Sequence, residues 1–424
     1  MLTVRTSEHW RPEKEYSFHV LLHEMLGVDY CVEYHMGNEH ILRLPNGREL
    51  SIEDWFSKLE SSDLHAFQNK FSGSWLPNPQ IPKSPNPPFP DFFAATFYML
   101  TRWEETNPKI ARDIHGRFPA NQSLSWKQGF LHRPVVNEWA DLLWEALVRL
   151  GWHGERKQRK FQISMSCDVD HPRLWWSAAE RGKTLAGAIF KRSDLQEACY
   201  WLKNHIFRKN DPYDVFDEWL DLFEKNNITA QFNFIGERPR SSDCWYPLRH
   251  PFVKNLMAKI TKRSQKIGFH PSYEAFDNQE VFNRELTSLQ KVSPVDITAG
   301  RQHYLRFAAP KTWQMWEIAG LKEDSTLGYP EAEGFRCGIC HDFPVFDTEQ
   351  RKMLKLREKP LIAMDVTLAQ YRCYTPEQAS EKLAQLRSVV EKHGGDFTLL
   401  WHNSSWNTPF WAAWKSVFLD FLSR

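Results

Sequence analysis

"SMSCDVDHP" (residues 164–172) decides how this chain is read. A run with apolar residues at alternate positions (Phe161, Ile163, Met165, Cys167) ends in two aspartates two residues apart, then histidine and proline. Side chains of an extended strand repeat every second residue, so Asp168 and Asp170 emerge on one side. Two adjacent carboxylates repel unless a cation, a shared proton or a hydrogen-bond donor stabilises them. Taken alone, the stretch also fits a strand-ending turn, where Asp, His and Pro are common. The sequence on either side has to separate these readings.

Downstream of residue 161, strand-like and helical segments alternate. "KFQISMSCDVD" (160–170) reads as a strand, "DPYDVFDEWLDLFEKNNI" (211–228) as an amphipathic helix and "TAQFNFIGE" (229–237) as a strand. Helix "HPFVKNLMAKITKRSQK", strand "IGFH" (267–270) and helix "NQEVFNRELTSLQKV" follow. "ITAGRQHYLRF" reads as a strand with its loop, and "APKTWQMWEIAG" as a helix. The series closes with strand "PLIAMDVTL" (360–368), helix "TPEQASEKLAQLRSVVEKHGG" and strand "DFTLLWH" (396–402). Repeated β–α order implies a parallel sheet, most economically a barrel, in which chemistry gathers where strands end. The polar residues Asp168/Asp170, His270, Arg301/His303 and His402/Asn403 stand at those ends.

The first part of the chain is different. Residues 16–50 read as a small α/β unit: "YSFHVLLHEMLG" has helical spacing, and "VDYCVEYHM" and "HILRLP" alternate like strands around the "GNE" turn. Residues 74–91, rich in proline, are expected to be an extended connection. "FFAATFYMLTRWEE" and "RPVVNEWADLLWEALVRLGW" (133–152) read as helices, the second with Pro near its first turn. The charged stretch "GERKQRK" (154–160) marks a boundary, giving an accessory domain over 1–153 and a second domain over 154–424.

Composition bounds the function. The 424 residues are 42% hydrophobic and 25% charged, as in soluble globular proteins. Lys and Arg (54) nearly cancel Asp and Glu (53), so no overall field draws nucleic acid or an anionic membrane. The 19 Trp and 29 Phe suit carbohydrate-facing surfaces or, more simply, a large aromatic core. Seven scattered cysteines argue against a disulfide framework and for a reducing compartment. The N-terminus shows no apolar secretory core, and no run approaches the ~20 apolar residues of a membrane span. A soluble, cytoplasmic protein is expected.

The ordered motifs resemble those of the polysaccharide deacetylases, carbohydrate esterases with a NodB-type deformed (β/α) barrel. That family's first motif is a strand ending in two aspartates, matched by Asp168 and Asp170. "TAQFNFIG" (229–236) is similar to its next strand, "HPSYE" (270–274) partly matches its His-Ser/Thr-x-x-His motif, and Leu400-Trp-His402 matches Leu-x-His. "RQHY" keeps Arg301 and Tyr304 of Arg-x-Pro-Tyr/Phe but has His303 at the proline, and Asp324 stands near the place of a further acidic motif. The resemblance covers roughly residues 161–405, and residues 1–150 look like the extra N-terminal α/β domain of a bacterial subgroup. It implies a deformed (β/α) barrel preceded by a smaller α/β domain.

The activity implied is metal-dependent removal of N-acetyl groups from amino sugars of a polysaccharide or its precursor. A divalent metal, zinc first, lowers the pKa of water towards ~7 and polarises the carbonyl. The resemblance makes Asp170 and His270 metal ligands, Asp168 the general base, and His402 the general acid for the departing nitrogen. Arg301 would orient Asp168, because a planar fork holds a carboxylate well. Tyr304 would line the site, while Ser272 and Tyr273 either bind the acetyl group or shape the loop. Asp324 and Asp365 read equally as site carboxylates or turn residues. No partner beyond a carbohydrate substrate is implied, and the oligomeric state is not legible.

One departure bears on the metal. Four residues after His270, where the family has its second metal histidine, stands Glu274. Glutamate ligates zinc at about 2.0–2.2 Å, so Glu274 is one candidate third ligand. His303 and His171 are the others. The imperfect motif also admits a catalytically degenerate member that binds a glycan or protein partner without turnover. Separately, "CGICH" (337–341) has the spacing of c-type haem attachment, but no export signal or second cysteine pair accompanies it. A loop near the barrel mouth with reduced, partly buried cysteines is expected there.

Overall fold

The structure, a computed structural model, describes residues 1–58, 90–236 and 244–423. The proline-rich stretch up to residue 89 lies outside the described residues. In chain order the strands are β1 (Leu2–Thr6), β2 (Tyr30–Tyr34), β3 (Glu39–Arg43), β4 (Glu49–Glu53), β5 (Gln162–Val169), β6 (Ala230–Ile235) and β7 (Lys266–His270). They continue as β8 (Ala299–Gly300), β9 (Glu323–Asp324), β10 (Phe343–Asp347), β11 (Lys352–Glu358), β12 (Ala363–Met364) and β13 (Asp396–Leu400). The helices that matter below are α1 (Arg11–Phe18), α2 (Phe92–Leu100), α3 (Val135–Arg149), α4 (Phe216–Lys225), α5 (Pro251–Lys262) and α6 (Gln279–Gln290). Two compact units emerge: Met1–Gln162 with Leu305–Ile362 and Leu386–Phe397, and Ile163–Tyr304 with Ala363–Gln385 and Thr398–Arg424.

The first unit contains a four-stranded sheet in the order β2-β1-β3-β4. β1 buries Leu2, Val4 and Thr6 on one face, the period-2 signature of a strand. It pairs parallel with β2 and antiparallel with β3, so it separates the two strands that the "GNE" turn suggested as neighbours. β3 and β4 form a hairpin whose Asn46-Gly47 turn places Gly47 at φ +80°, a conformation glycine adopts without cost. α1 and α2 interlock through aromatic edges, with Phe18 4.6 Å from Phe93 and Tyr16 6.0 Å from Phe97. α3 forms within the predicted helix, with Pro134 just before its first residue. "FPVFD" is strand β10, antiparallel to β11, and not part of a loop. All five of its residues are buried, so no polar alternation announced it. Cys337 and Cys340 are free and wholly buried, and burial pushes both thiols up, which makes them inert. Burial also lowers His341 to about 3 and keeps it neutral.

The second unit is mixed α/β with a large parallel sheet. Its strands follow the order β8-β7-β6-β5-β13-β12, and β5–β6, β6–β7, β7–β8 and β12–β13 pair in parallel. The crossover helices are amphipathic: α4 buries Phe216, Trp219, Leu220 and Phe223, and α5 buries Val253, Leu256, Met257 and Ile260. Both sets fall at i, i+3 or i+4 and i+7, one stripe per helix. Trp219 stacks on Phe418 at 5.4 Å with Trp406 edge-on, and among the described residues twelve tryptophans are buried. Most of the aromatic excess therefore builds core. Among the described residues no helix is long and apolar enough to cross a membrane.

Candidate active site

Parallel pairing aligns the strands so that their C-terminal ends fall at one edge, and register fixes which side chains meet there. Asp168 on β5 lies opposite Asn233 on β6, Asn233 opposite Gly268 on β7, and Ile235 opposite His270. His270 therefore stands one pleat beyond the Asp168 layer, level with the residues that follow β5. The second unit gathers Asp168, Asp170, His270, Arg301, His303, His402 and Asp365 in this region.

Asp168 is almost completely buried. Its Oδ1 accepts hydrogen bonds from Asn233 Nδ2 (2.7 Å) and Arg301 Nη1 (3.1 Å). Burial, the largest influence, raises its pKa, but Arg301, His270, His402 and Asn233 together hold the carboxyl below the usual range. Arg301 is wholly buried and also donates to Ser166 Oγ at 2.8 Å. Leaving either Asp168 or Arg301 without the other would strand a buried charge.

Asp170 Oδ1 is a buried acceptor that has no hydrogen-bond partner among the described residues. It stands 3.4 Å from His270 Nε2 and 3.5 Å from His303 Nε2. One donor atom from each of these three residues lies within 4.8 Å of the others. Donors about 2.1 Å from a tetrahedral ion stand about 3.4 Å apart, so the set fits a zinc-sized cation. His270 Nδ1 lies 2.6 Å from the carbonyl oxygen of Arg301. A carbonyl only accepts, so Nδ1 carries the proton and Nε2 offers its lone pair towards Asp170. Burial pushes Asp170 up, yet the facing histidines hold it well below the usual carboxylate range. Burial lowers His270, but Asp168 and Asp170 outweigh it and leave its pKa raised.

His402 closes the cluster from beyond β13. Its Nδ1 donates to Asp365 Oδ1 at 2.8 Å, and its backbone N–H donates to Asp365 Oδ2 at 2.9 Å. Nε2 is left facing Asp170 Oδ2 at 3.9 Å. Burial lowers its pKa, but Asp365, then Asp170 and Asp168, raise it to about 10. The result is an imidazolium stabilised by the carboxylates around it.

Other candidates lie elsewhere. Glu274 is exposed on the short 3₁₀ turn Tyr273–Asp277 and does not join the cluster. Ser272, just before that turn, is tied to buried Glu285 on α6 through its hydroxyl (2.6 Å) and its N–H (2.8 Å), and the chain leaves β7 in that direction. The Ser272 hydroxyl is thus already engaged within its loop. Tyr273 and Tyr304 meet edge-to-face at 5.2 Å, with Tyr304 42% exposed beside His303. The carbonyl of His171 accepts from Asn403, and its side chain does not join Asp170, His270 and His303. Asp324 belongs to the first unit, where it accepts from Thr326 and raises the pKa of Glu358. Asn233 escaped the sequence reading, although two amides (Gln231, Asn233) at alternate positions of an apolar strand signal a polar layer; Gln231 Nε2 donates to Asn233 Oδ1 at 2.8 Å.

Comparison with known proteins adds the following. Residues 2–151 match a family of unknown function (DUF7033). No curated protein matches the chain. Similar solved structures include a protein assigned as a polysaccharide deacetylase from Mycobacterium smegmatis (15% identity, TM-score 0.40, covering 64% of this chain and 85% of that one). A CE4 family pseudoenzyme from Bacillus anthracis is similar at 8% identity and TM-score 0.31, covering 62% of this chain and 61% of its own. A mutant of a peptidoglycan deacetylase from Bacillus subtilis is similar at 13% identity and TM-score 0.27, covering 62% and 84% respectively.

Proposed function

We propose that this chain is a metal-dependent N-deacetylase of amino sugars in a polysaccharide or its precursor, with the second domain (154–424) forming a deformed (β/α) barrel. The observation that carries the reading is Asp170 Oδ1, a buried acceptor without a hydrogen bond among the described residues, set between two imidazole Nε2 atoms and beside a separately charged pair, Asp168–Arg301. The match to residues 2–151 supports a domain boundary near 153.

Asp170, His270 and His303 would hold the metal, His303 taking the role that the resemblance gives to the position of Glu274. When bound, a divalent ion polarises an amide carbonyl and makes water more acidic. Asp168, kept ionised by Arg301 and Asn233, takes the proton of the attacking water. His402 gives its Nε2 proton to the departing amine, and Asp365 holds the imidazolium in place from the other side. Tyr304, half-exposed next to His303, offers a ring face to a sugar.

Acetate release from N-acetylhexosamine oligomers and from nucleotide-linked N-acetylhexosamines, assayed with zinc, cobalt and manganese, tests the reading. Activity that disappears in His303→Ala and survives in Glu274→Ala supports it. A chain that binds glycan yet releases no acetate with any of the three metals is the degenerate binder and refutes it.

A further inference from the structure

A second set of buried donors lies in the first unit and takes no part in this chemistry. His40 on β3, Asp54 just past β4 and Asp91 at the N-cap of α2 are all completely buried. One donor atom from each falls within 4.8 Å of the other two. His40 Nδ1 is engaged by Thr6 Oγ1 at 2.8 Å, which turns Nε2 towards the carboxylates. Nε2 stands 3.7 Å from Asp54 Oδ1 and 3.7 Å from Asp91 Oδ2. Both distances exceed a hydrogen bond, and among the described residues Nε2 has no hydrogen-bond partner. Phe18 and Phe93 pack edge-on against the ring at 5.3 and 5.4 Å. A polar atom left unpaired in such surroundings loses its hydration with nothing in return.

The remaining oxygens are already committed. Asp54 Oδ2 accepts from Lys14 Nζ (2.5 Å) and Ser7 Oγ (3.0 Å), and Asp91 Oδ1 caps α2 through the N–H groups of Phe93 and Ala94. The two oxygens facing His40 each take one backbone N–H, from Ser57 and from Trp55, and keep a lone pair. Two carboxylates facing one lysine leave a buried negative charge that needs a further cation. A protonated imidazole would close to about 2.7–2.9 Å on one carboxylate. A ring equidistant from both, at spacings near the donor–donor distance around a zinc-sized ion, has the geometry of a shared centre.

We propose that His40 Nε2, Asp54 Oδ1 and Asp91 Oδ2 bind a divalent first-row cation such as zinc, in a structural site that ties β3, the segment after β4 and α2 together. One imidazole and two carboxylates suit such an ion, and complete burial makes the site structural rather than catalytic. The site is independent of Asp170, His270 and His303.

The experiment uses the full chain carrying His270→Ala and His303→Ala, so that failure of the deacetylase reading cannot affect it. This chain is equilibrated with zinc, desalted and analysed for metal, and its thermal midpoint is followed with zinc and with a chelator. One zinc per chain is expected, lost on adding Asp91→Asn, which keeps a side-chain oxygen for the α2 cap. The midpoint should rise with zinc and fall with chelator. No bound zinc and a midpoint indifferent to both reagents would overturn the proposal. Zinc retained in full by the Asp91→Asn chain would overturn it equally. If that variant does not fold, His40→Gln replaces it, and the zinc-dependent midpoint of the parent decides alone.

Discussion

At the scale of single residues, the two aspartates of "SMSCDVDHP" differ in what surrounds them. Asp168 lies among donors (Asn233, Arg301), which favour the ionised form without consuming its second oxygen, whereas Asp170 faces His270 and His303. Asp168→Asn should therefore lower kcat by about 10²–10⁴ as the general base is lost, with zinc content unchanged. Loss of metal together with activity would place Asp168 among the ligands. Asp365 raises the pKa of His402, so Asp365→Asn should move the alkaline limb of the pH–rate profile to lower pH. The sign follows because removing a neighbouring anion disfavours the imidazolium, and the acid form is the one required on the leaving nitrogen. An unmoved alkaline limb would remove His402 from that role. The sequence exposed Asp168, Asp170, His270 and His402 because each ends a strand. It exposed His303 and Glu274 equally, because spacing does not reveal which way a loop leaves its strand.

At the scale of elements, strand register places the polar layer and a glycine makes room for it. A Cβ on Gly268 would lie 2.0 Å from Asn233 Oδ1 and 2.9 Å from Gln231 Nε2. Gly268→Ala should therefore push the Asn233 amide off Asp168, raise the pKa of Asp168 and shift the acid limb of the rate profile to higher pH. Titrating kcat against pH checks this, and Asn233→Ala should reproduce the shift without strain in β7. A fall in activity with no shift of the limb would make the layer structural only. Helices α2 to α6 and strands β5, β6, β7 and β13 were legible because their apolar spacing is regular, whereas β11 was not read despite its seven residues. β8 and β12 lie inside segments that read as strands, "ITAGRQHYLRF" and "PLIAMDVTL", but shrink to two paired residues each; β10 was not legible, because a strand buried throughout has no period to read. β1 was missed although it alternates, since its partners β2 and β3 come later in the chain and only tertiary pairing identifies it.

At the scale of the whole molecule, nearly balanced charge hides strongly uneven burial. In the first unit, Glu105 is wholly buried and accepts from Arg336 Nε (2.9 Å) and Nη2 (2.5 Å) and from Arg102 Nε (2.8 Å). Burial raises its pKa, but the two guanidiniums outweigh this and hold it at about 2. Glu24 is also held at about 2, first by His19 and then, against burial, by Arg357. Both carboxyls are depressed in the folded state relative to the ordinary 4.5, so the unfolded chain binds their protons first as pH falls. Their contribution to stability is complete above the unfolded value and is lost between about 4.5 and about 2. The free energy of unfolding, measured by urea titration, should therefore drop steeply through this interval. Glu105→Gln should flatten part of that slope while lowering stability at pH 7 by about 3–5 kcal/mol, because Arg102 and Arg336 would remain buried around a neutral amide. A Glu105→Gln chain that keeps the wild-type acid slope would show that the ionisation of Glu105 is not what acid titrates, and would pass that role to Glu24 and the surface carboxylates.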